Sequence, residues 1–249
     1  MITAAIIAKN EQSQIKECIE SLAWCQEIIV VDDDSSDKTA SIARASGARV
    51  YQRSLNGDFA TQRNFALSKS SNDWVIFVDA DERVSKQLRD EIQSMLYAFS
   101  HPYEGFLINR QDTLWQKKLQ YGEVGNKQLI RIGKKTSGQW IGRVHEAWDV
   151  SGKIGTLKQP LNHFPHQTIS EFLQEINYYT DIRASLLYEK QITTNIFLIF
   201  GYPLAKFIKL YLFAQGFRDG MPGLIVAIMM SFHSYLVRSK LWMLHHEGK

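Results

Sequence analysis

Short apolar runs alternate with helix-periodic stretches through the first third of the chain. TAAIIA (3–8), EIIVVDD (27–33), RVYQR (49–53) and DWVIFVDAD (73–81) are runs of strand length bounded by polar residues, and they read as buried strands. Between them, SQIKECIESLAWC (13–25) places Ile15, Cys18, Ile19 and Leu22 at helical spacing, with Ser13 as a candidate cap. SDKTASIARASGA (36–48) carries a Ser or Asp cap and Gly47 near its end, and FATQRNFALSKS (59–70) completes the set. Strands alternating with helices at this spacing predict an α/β fold, a mainly parallel sheet with helices on both faces.

From about residue 101 the texture changes. EGFLINRQDTLWQKKLQYG and KQLIRIGKKTSGQWIGRVHEAWDV mix aromatic, glycine and basic residues and read as short strands and loops. Residues 170–190 form a capped amphipathic helix. Two strongly apolar segments follow, NIFLIFGYPLAKFIKLYLFAQGF and MPGLIVAIMMSFHSYLVRSKLWML, interrupted by Gly201, Pro203, Lys206, Lys209 and Pro222. Their uninterrupted runs fall short of the ~18–20 residues that a spanning helix needs. Helices lying in a membrane interface and helices packed on the first domain both fit this pattern. The expected division is a domain over 1–165, with halves 1–100 and 101–165, and a helical membrane-associating region over 166–249.

At 249 residues, 45% hydrophobic and 22% charged, the composition is that of a globular protein. Cys18 and Cys25 make no metal-type spacing and no disulfide framework, which points to a reducing compartment. MITAAIIAKNE lacks the charged start and long apolar run of a secretion signal. The net charge of +3 hides an asymmetry: residues 1–100 hold 11 Lys and Arg against 15 Asp and Glu, and residues 101–249 hold 18 against 11. The acidic front suits a cation, and the basic back suits an anionic partner.

The polar clusters fall at strand ends. Asn10 and Glu11 follow the first strand, Asp32, Asp33 and Asp34 end the second, and Asp79, Asp81 and Glu82 end the fourth. In open parallel sheets ligands bind outside the carboxyl ends of the strands. Carboxylates this close repel one another, so a positive charge is expected among them. No GxGxxG or Walker loop is present, so a bound nucleotide would need another device for its phosphates. A carboxylate-held Mg2+ or Mn2+ is one, with Asp79 and Asp81 as ligands.

AIIAKNE, IIVVDDDSSDKT, ATQRNFAL and WVIFVDADE, in that order, resemble the successive motifs of family 2 glycosyltransferases of the GT-A fold. The resemblance implies that Ala8, Asn10 and Glu11 line a nucleoside, that Asp33 reads its base or ribose, and that Arg63 lies near the nucleotide. Asp79 and Asp81 would face the ribose and a metal-bound diphosphate, Asp81 as the stronger ligand. The family's DDGS turn has glycine where this chain has Asp34.

The second half is similar to bacterial enzymes that add glucose to the lipopolysaccharide inner core, through QWIGRVHEAW, LNHFPHQTISEFLQEINYYTDIRA and GFRDGMPGLIVAI. That similarity implies an inverting transfer from a UDP-sugar such as UDP-glucose to a heptose of a lipid-anchored oligosaccharide at the cytoplasmic face of the inner membrane. Glu146 would be the general base, ahead of Asp149 and Glu123, with His145 orienting it or touching the diphosphate. His163 and His166 are further metal or phosphate candidates. Arg218, Lys206 and Lys209 are candidates to meet lipid phosphates, and a turn with an Arg218–Asp219 ion pair is the plainer reading. An inverting transferase acting on polyprenol phosphate or a capsule precursor is the alternative. A binding module for nucleic acid fits less well, because it has no use for the acidic strand ends.

Overall fold

The computed structural model describes residues 1–97, 102–123, 128–143 and 146–246. It divides into two compact units, Met1–Arg110 with Lys127–His163, and Gln111–Asn126 with Phe164–Lys249. The expected single boundary near residue 165 is therefore crossed by one excursion, the stretch Gln111–Asn126, which belongs with the C-terminal helices.

In the first unit, β1 (Ile2–Ala8), α1 (Ile15–Ser21), β2 (Glu27–Asp32), α2 (Thr39–Ala45), β3 (Arg49–Gln52), α3 (Phe59–Lys69) and β4 (Trp74–Asp79) follow in alternation. Next along the chain come β5 (Glu82–Arg83), α4 (Lys86–Tyr97), β6 (Tyr103–Leu114) and β7 (Lys117–Lys118), of which β7 and the end of β6 from Gln111 belong to the second unit, and then β8 (Gln128–Lys134), β9 (Gly138–Ile141), β10 (Ala147–Val150), β11 (Lys153–Thr156) and β12 (Leu161–His163) in the first. The sheet order is β3-β2-β1-β4-β8-β6-β12-β5, with β11 and β7 paired to β6. β1 pairs in parallel with both β2 and β4, while β8 runs antiparallel to β4. This is the mixed, mainly parallel sheet of the GT-A fold, followed by a helical C-terminal part.

Strand alternation sorts the core into two layers. Ala4, Ile6, Val30, Ile76 and Val78 face Ile15, Ile19 and Leu22 from the α1 region, and Leu88 and Ile92 from α4. Ala5, Ile29, Val31, Val75 and Phe77 face Ala60, Ala66 and Leu67 of α3. The second layer is closed by the β9–β10 hairpin, whose Trp140 and Trp148 rings stack at 5.5 Å and sit edge-on to Phe77 at 5.0 and 5.1 Å. Both helical layers are thus pinned to the strands that carry the acidic tips.

Helix limits differ from the sequence pattern at two places. α1 begins at Ile15 with Gln14 at its N-cap, so Ser13 does not cap it, and the stretch to Cys25 closes as tight turns rather than further helix. α2 begins only at Thr39, because the Asp37 carboxylate accepts the Thr39 amide at 2.9 Å and organises the turn before it. Both cysteines are free.

The second unit contains α5 (Ile169–Glu189), α6 (Ile196–Ile208) and α7 (Met221–His246). Thr168 and Glu171 form a capping box at the start of α5. α6 carries Pro203 within it and continues as a π-helical turn over Lys209–Phe213. α7 packs against both α5 and α6. Ile196–Phe213 and Met221–His246 are long and apolar enough to cross a membrane by length and composition, while Lys206 and Lys209 interrupt the first and Arg238 and Lys240 the second, as read from sequence. Asp219 is buried and its Oδ2 accepts the amides of Gln120 and Tyr121 at 3.0 and 2.9 Å, while Arg218 donates to Gln215 and stacks over Tyr121. The Arg218–Asp219 ion pair expected of this turn is replaced by these separate contacts, because two backbone donors hold the carboxylate inside.

Candidate functional site

The loops leaving β1 and β2 are stitched together. The Ala8 carbonyl accepts the Asp33 amide at 2.8 Å, Asn10 Oδ1 accepts the Ser36 amide at 2.9 Å, and the Asn10 amide donates to Ser35 Oγ at 2.9 Å. The Glu11 amide donates to Thr39 Oγ1 at 2.7 Å. Asn10 has a φ of 55° and Asp34 a φ of 48°, the left-handed region that asparagine and aspartate tolerate better than most residues. Asp34 therefore occupies the conformation for which the family's turn uses glycine, and the Ser54 hydroxyl donates to its carboxylate. Asp33 is buried and held from two sides, by the Leu55 amide at 2.7 Å and Lys9 Nζ at 2.8 Å. Ala8 is buried beneath this junction.

At the end of β4, the positive charge that the acidic cluster demands comes from two arginines. Arg63 on α3 donates from Nη2 to Asp79 Oδ1 at 2.8 Å, and Arg131 on β8 donates from Nη2 to Asp79 Oδ2 at 2.6 Å. Both guanidinium groups are 6% exposed. Arg131 reaches on to Glu82 Oε1 at 3.2 Å, and Glu82 Oε2 accepts the Asp79 amide at 2.9 Å. Arg63 in turn donates from Nε to Glu146 Oε1 at 2.8 Å, with its guanidinium 4.7 Å from the Trp140 ring centre. Glu146, Arg63, Asp79, Arg131 and Glu82 form one continuous chain of alternating charge.

The electrostatics follow from that order. Burial pushes the Asp79 carboxyl up, but Arg131 and Arg63 outweigh it and hold the group well below the usual carboxylate range. Burial likewise raises Glu82; Arg131 opposes this, the Asp79 charge reinforces it, and the net shift is upward. For Arg131, burial acts to lower the pKa, and the Asp79 and Glu82 carboxylates reverse it. Asp81 stands apart from this chain. His163 Nε2 lies 2.9 Å from Asp81 Oδ2 and overcomes burial to lower that carboxyl.

The structure thus brings Ala8, Asn10 and Asp33 together at the β1–β2 edge, and Arg63, Asp79 and Glu146 at the β4 edge. Asp81 and His163 form a separate pair. His145 lies outside the described residues. Asp149 sits in the β9–β10 ladder, Glu123 pairs with Lys206 at 2.8 Å, and His166 stacks on Phe172 at 3.9 Å. Among the described residues no group of three or more His, Cys, Asp or Glu is placed to hold a metal ion by itself. With both oxygens of Asp79 engaged by arginine, the donors that fit a hard cation are Asp81 and His163, completed by substrate oxygens. Among the described residues the buried atoms Arg63 Nη1 and Asp32 Oδ1 have no hydrogen-bond partner, which leaves a donor and an acceptor for a polar ligand. Arg131 is a participant that sequence reasoning missed, whereas Glu82 was read as part of the acidic strand end. The available signal was an arginine inside the apolar run QLIRI, at a strand position otherwise reserved for core residues.

In open α/β sheets ligands sit at the carboxyl ends of the strands, and here that edge carries fixed carboxylates and buried arginines. The model of glycosyl transferase family 2 matches residues 3–144, more than half of the chain, and the chain belongs to that family. It is 28% identical over 252 residues to the lipopolysaccharide core biosynthesis glycosyltransferase LpsC of Rhizobium meliloti, covering 98% of this chain and 93% of that one. An uncharacterized glycosyltransferase of Rickettsia conorii, RC0292, is 29% identical over 96% of this chain and 89% of its own length. Among solved structures, glucosyl-3-phosphoglycerate synthase from Mycobacterium tuberculosis in complex with Mn2+, UDP and glucosyl-3-phosphoglycerate superposes with a TM-score of 0.38 at 24% identity, over 46% of this chain and 44% of that one.

Proposed function

We propose that the protein is an inverting hexosyltransferase that moves glucose from UDP-glucose to a heptose of a lipid-anchored lipopolysaccharide core, at the cytoplasmic face of the inner membrane. The observation that carries this reading is the Glu146–Arg63–Asp79 chain. It ties a carboxylate suited to general base work to the strand end where the donor diphosphate would lie.

In the transfer, the acceptor hydroxyl oxygen attacks C1 of the donor sugar while the bond from C1 to the phosphate oxygen breaks. The hydroxyl proton passes to a Glu146 oxygen, and UDP leaves with the bonding electron pair. A single in-line displacement inverts the anomeric centre, so an α-linked donor gives a β-linked product. Arg63 holds the Glu146 carboxylate in one orientation through Nε, and its Nη1, which has no partner among the described residues, is available to a phosphate or sugar oxygen. Asp33, locked by Leu55 and Lys9, presents a fixed acidic edge to the nucleoside, and Ala8, Asn10 and Glu11 shape the rest of that pocket. His145 beside Glu146 is assigned an orienting role. Mg2+ or Mn2+, held by Asp81 with His163 behind it and with Asp79 nearby, would supply charge neutralisation for the departing diphosphate. The match to LpsC over nearly the whole chain supports the acceptor class.

The test is a panel of nucleotide sugars, each with Mg2+ or Mn2+ and a truncated core acceptor, scored for UDP release. UDP-glucose should be the preferred donor, and Glu146→Gln should lower kcat by about 10²–10⁴-fold with UDP-sugar binding retained. Normal turnover by that variant refutes the assignment.

A further inference from the structure

α6 is apolar on every side through its first ten positions, Ile196–Ala205, and not one residue of Ile196–Ile208 is buried. Ile196, Phe197, Phe200, Tyr202 and Leu204 are exposed, Phe197 at 83%. A helix apolar all round belongs inside a protein core or among lipid chains rather than in water. Its one packed side meets α7 in an antiparallel hairpin. Ser231 donates to the Pro203 carbonyl at 2.7 Å, the Phe200 and Tyr235 rings lie 6.4 Å apart, and Arg238 sits 4.0 Å over the Tyr202 ring. The remaining sides of Ile196–Ala205 lie open among the described residues.

The charge pattern around this surface names its occupant. From residue 191 to residue 246 the only acidic side chain is Asp219, which is buried and committed to the Gln120 and Tyr121 amides. The same stretch carries Lys206, Lys209, Arg218, Arg238 and Lys240, and Lys209 and Arg218 are exposed next to Phe213 and Phe217, which are exposed as well. A second protein surface would cover one side of the helix, whereas acyl chains surround it, and Lys209 and Arg218, exposed and with no ion pair among the described residues, match acidic lipid phosphates. The uncharged stretch Ile196–Ala205 is about 15 Å long, half the ~30 Å of a bilayer's hydrocarbon layer, which is the depth of one leaflet before Lys206 and Lys209 interrupt the helix.

We propose that α6 and the turn after it are embedded in one leaflet of an anionic lipid bilayer, with Lys209 and Arg218 at the level of the lipid phosphates. This surface is independent of the sugar-transfer reading, since it needs neither donor nor glycan.

The full chain is floated with vesicles of phosphatidylcholine alone and of phosphatidylcholine with phosphatidylglycerol, both free of glycan. Binding should favour the anionic vesicles and weaken with salt. The triple variant Ile196→Asp, Phe197→Asp, Leu204→Asp should lose about tenfold or more of its partition, with its circular dichroism and melting unchanged because these side chains are exposed. Lys209→Glu with Arg218→Glu should abolish the preference for anionic vesicles while partition into neutral ones persists. No partition into either vesicle, or a triple variant that binds as the parent does, overturns the proposal. So does sedimentation showing a lipid-free dimer that the triple variant disperses, with no vesicle binding. Because the vesicles carry no acceptor, failure here leaves the glycosyltransfer assay untouched, and the reverse also holds.

Discussion

At the residue scale, the two buried arginines decide how the acidic rim exists at all. Arg131 satisfies Asp79 and Glu82 together, so its removal strips the buried Glu82 of this counter-charge and leaves Asp79 with Arg63 alone. Arg131→Met should cost about 3–5 kcal/mol of unfolding free energy, measured by denaturant titration. Arg131→Lys should recover part of it, since an ammonium is a point charge and lacks the planar fork that reaches both partners. A loss below about 1 kcal/mol would mean that the pair is solvated and not structural. Asp81 gives a pH signature. Its folded-state carboxyl lies below the ordinary value, so the stability it contributes is present above the unfolded value near 4 and vanishes as the pH falls through the folded one. Asp81→Asn should therefore melt below the parent at about pH 7 and converge with it by about pH 2. A gap that persists in acid would contradict the His163–Asp81 account.

At the element scale, the strands and helices of the first third were legible because their periods are distinct, and β1, β2 and β4 are apolar through their centres. Helix starts were less legible. Ser13 and Ser36 look like caps, yet α1 and α2 begin later, because the loops after β1 and β2 spend their polar groups on each other. The acidic strand tips could be read from sequence, but the arginine answering them on β8 could not, since 52 residues separate Arg131 from Asp79. The Trp140–Trp148–Phe77 cluster was likewise a tertiary fact: nothing local says that a hairpin closes the α3 face. Trp148→Ala should cost about 3–5 kcal/mol by thermal or denaturant unfolding, and a smaller effect would show that the hairpin is not part of that core. In the helical unit, a Cβ at Gly223 would lie 2.0 Å from the Gly216 carbonyl oxygen, a contact that requires backbone movement. Gly223→Ala should destabilise that unit, read as a lowered melting transition, while an unchanged transition would refute the close approach of α7 to the turn before it.

At the scale of the whole molecule, sequence and structure agree on family and fold more closely than on boundaries. Family, fold and the acidic edge follow from motif order, whereas the excursion Gln111–Asn126 joins the helical unit without any compositional mark. The basic back half also reads differently once folded. Lys206 pairs with Glu123, Arg238 covers Tyr202, and Lys240 donates to Asn177 and Thr180, so part of that charge is consumed inside the helical unit. The central claim is that the tips of β1, β2 and β4 form one cation-assisted site for a uridine diphosphate sugar. Titration calorimetry of UDP-glucose into the full chain, with and without Mn2+, tests it most directly. The account predicts saturable one-site binding that strengthens with Mn2+ and is lost in Asp81→Asn. No heat with any uridine diphosphate compound, or unchanged Mn2+-dependent binding in that variant, would contradict it.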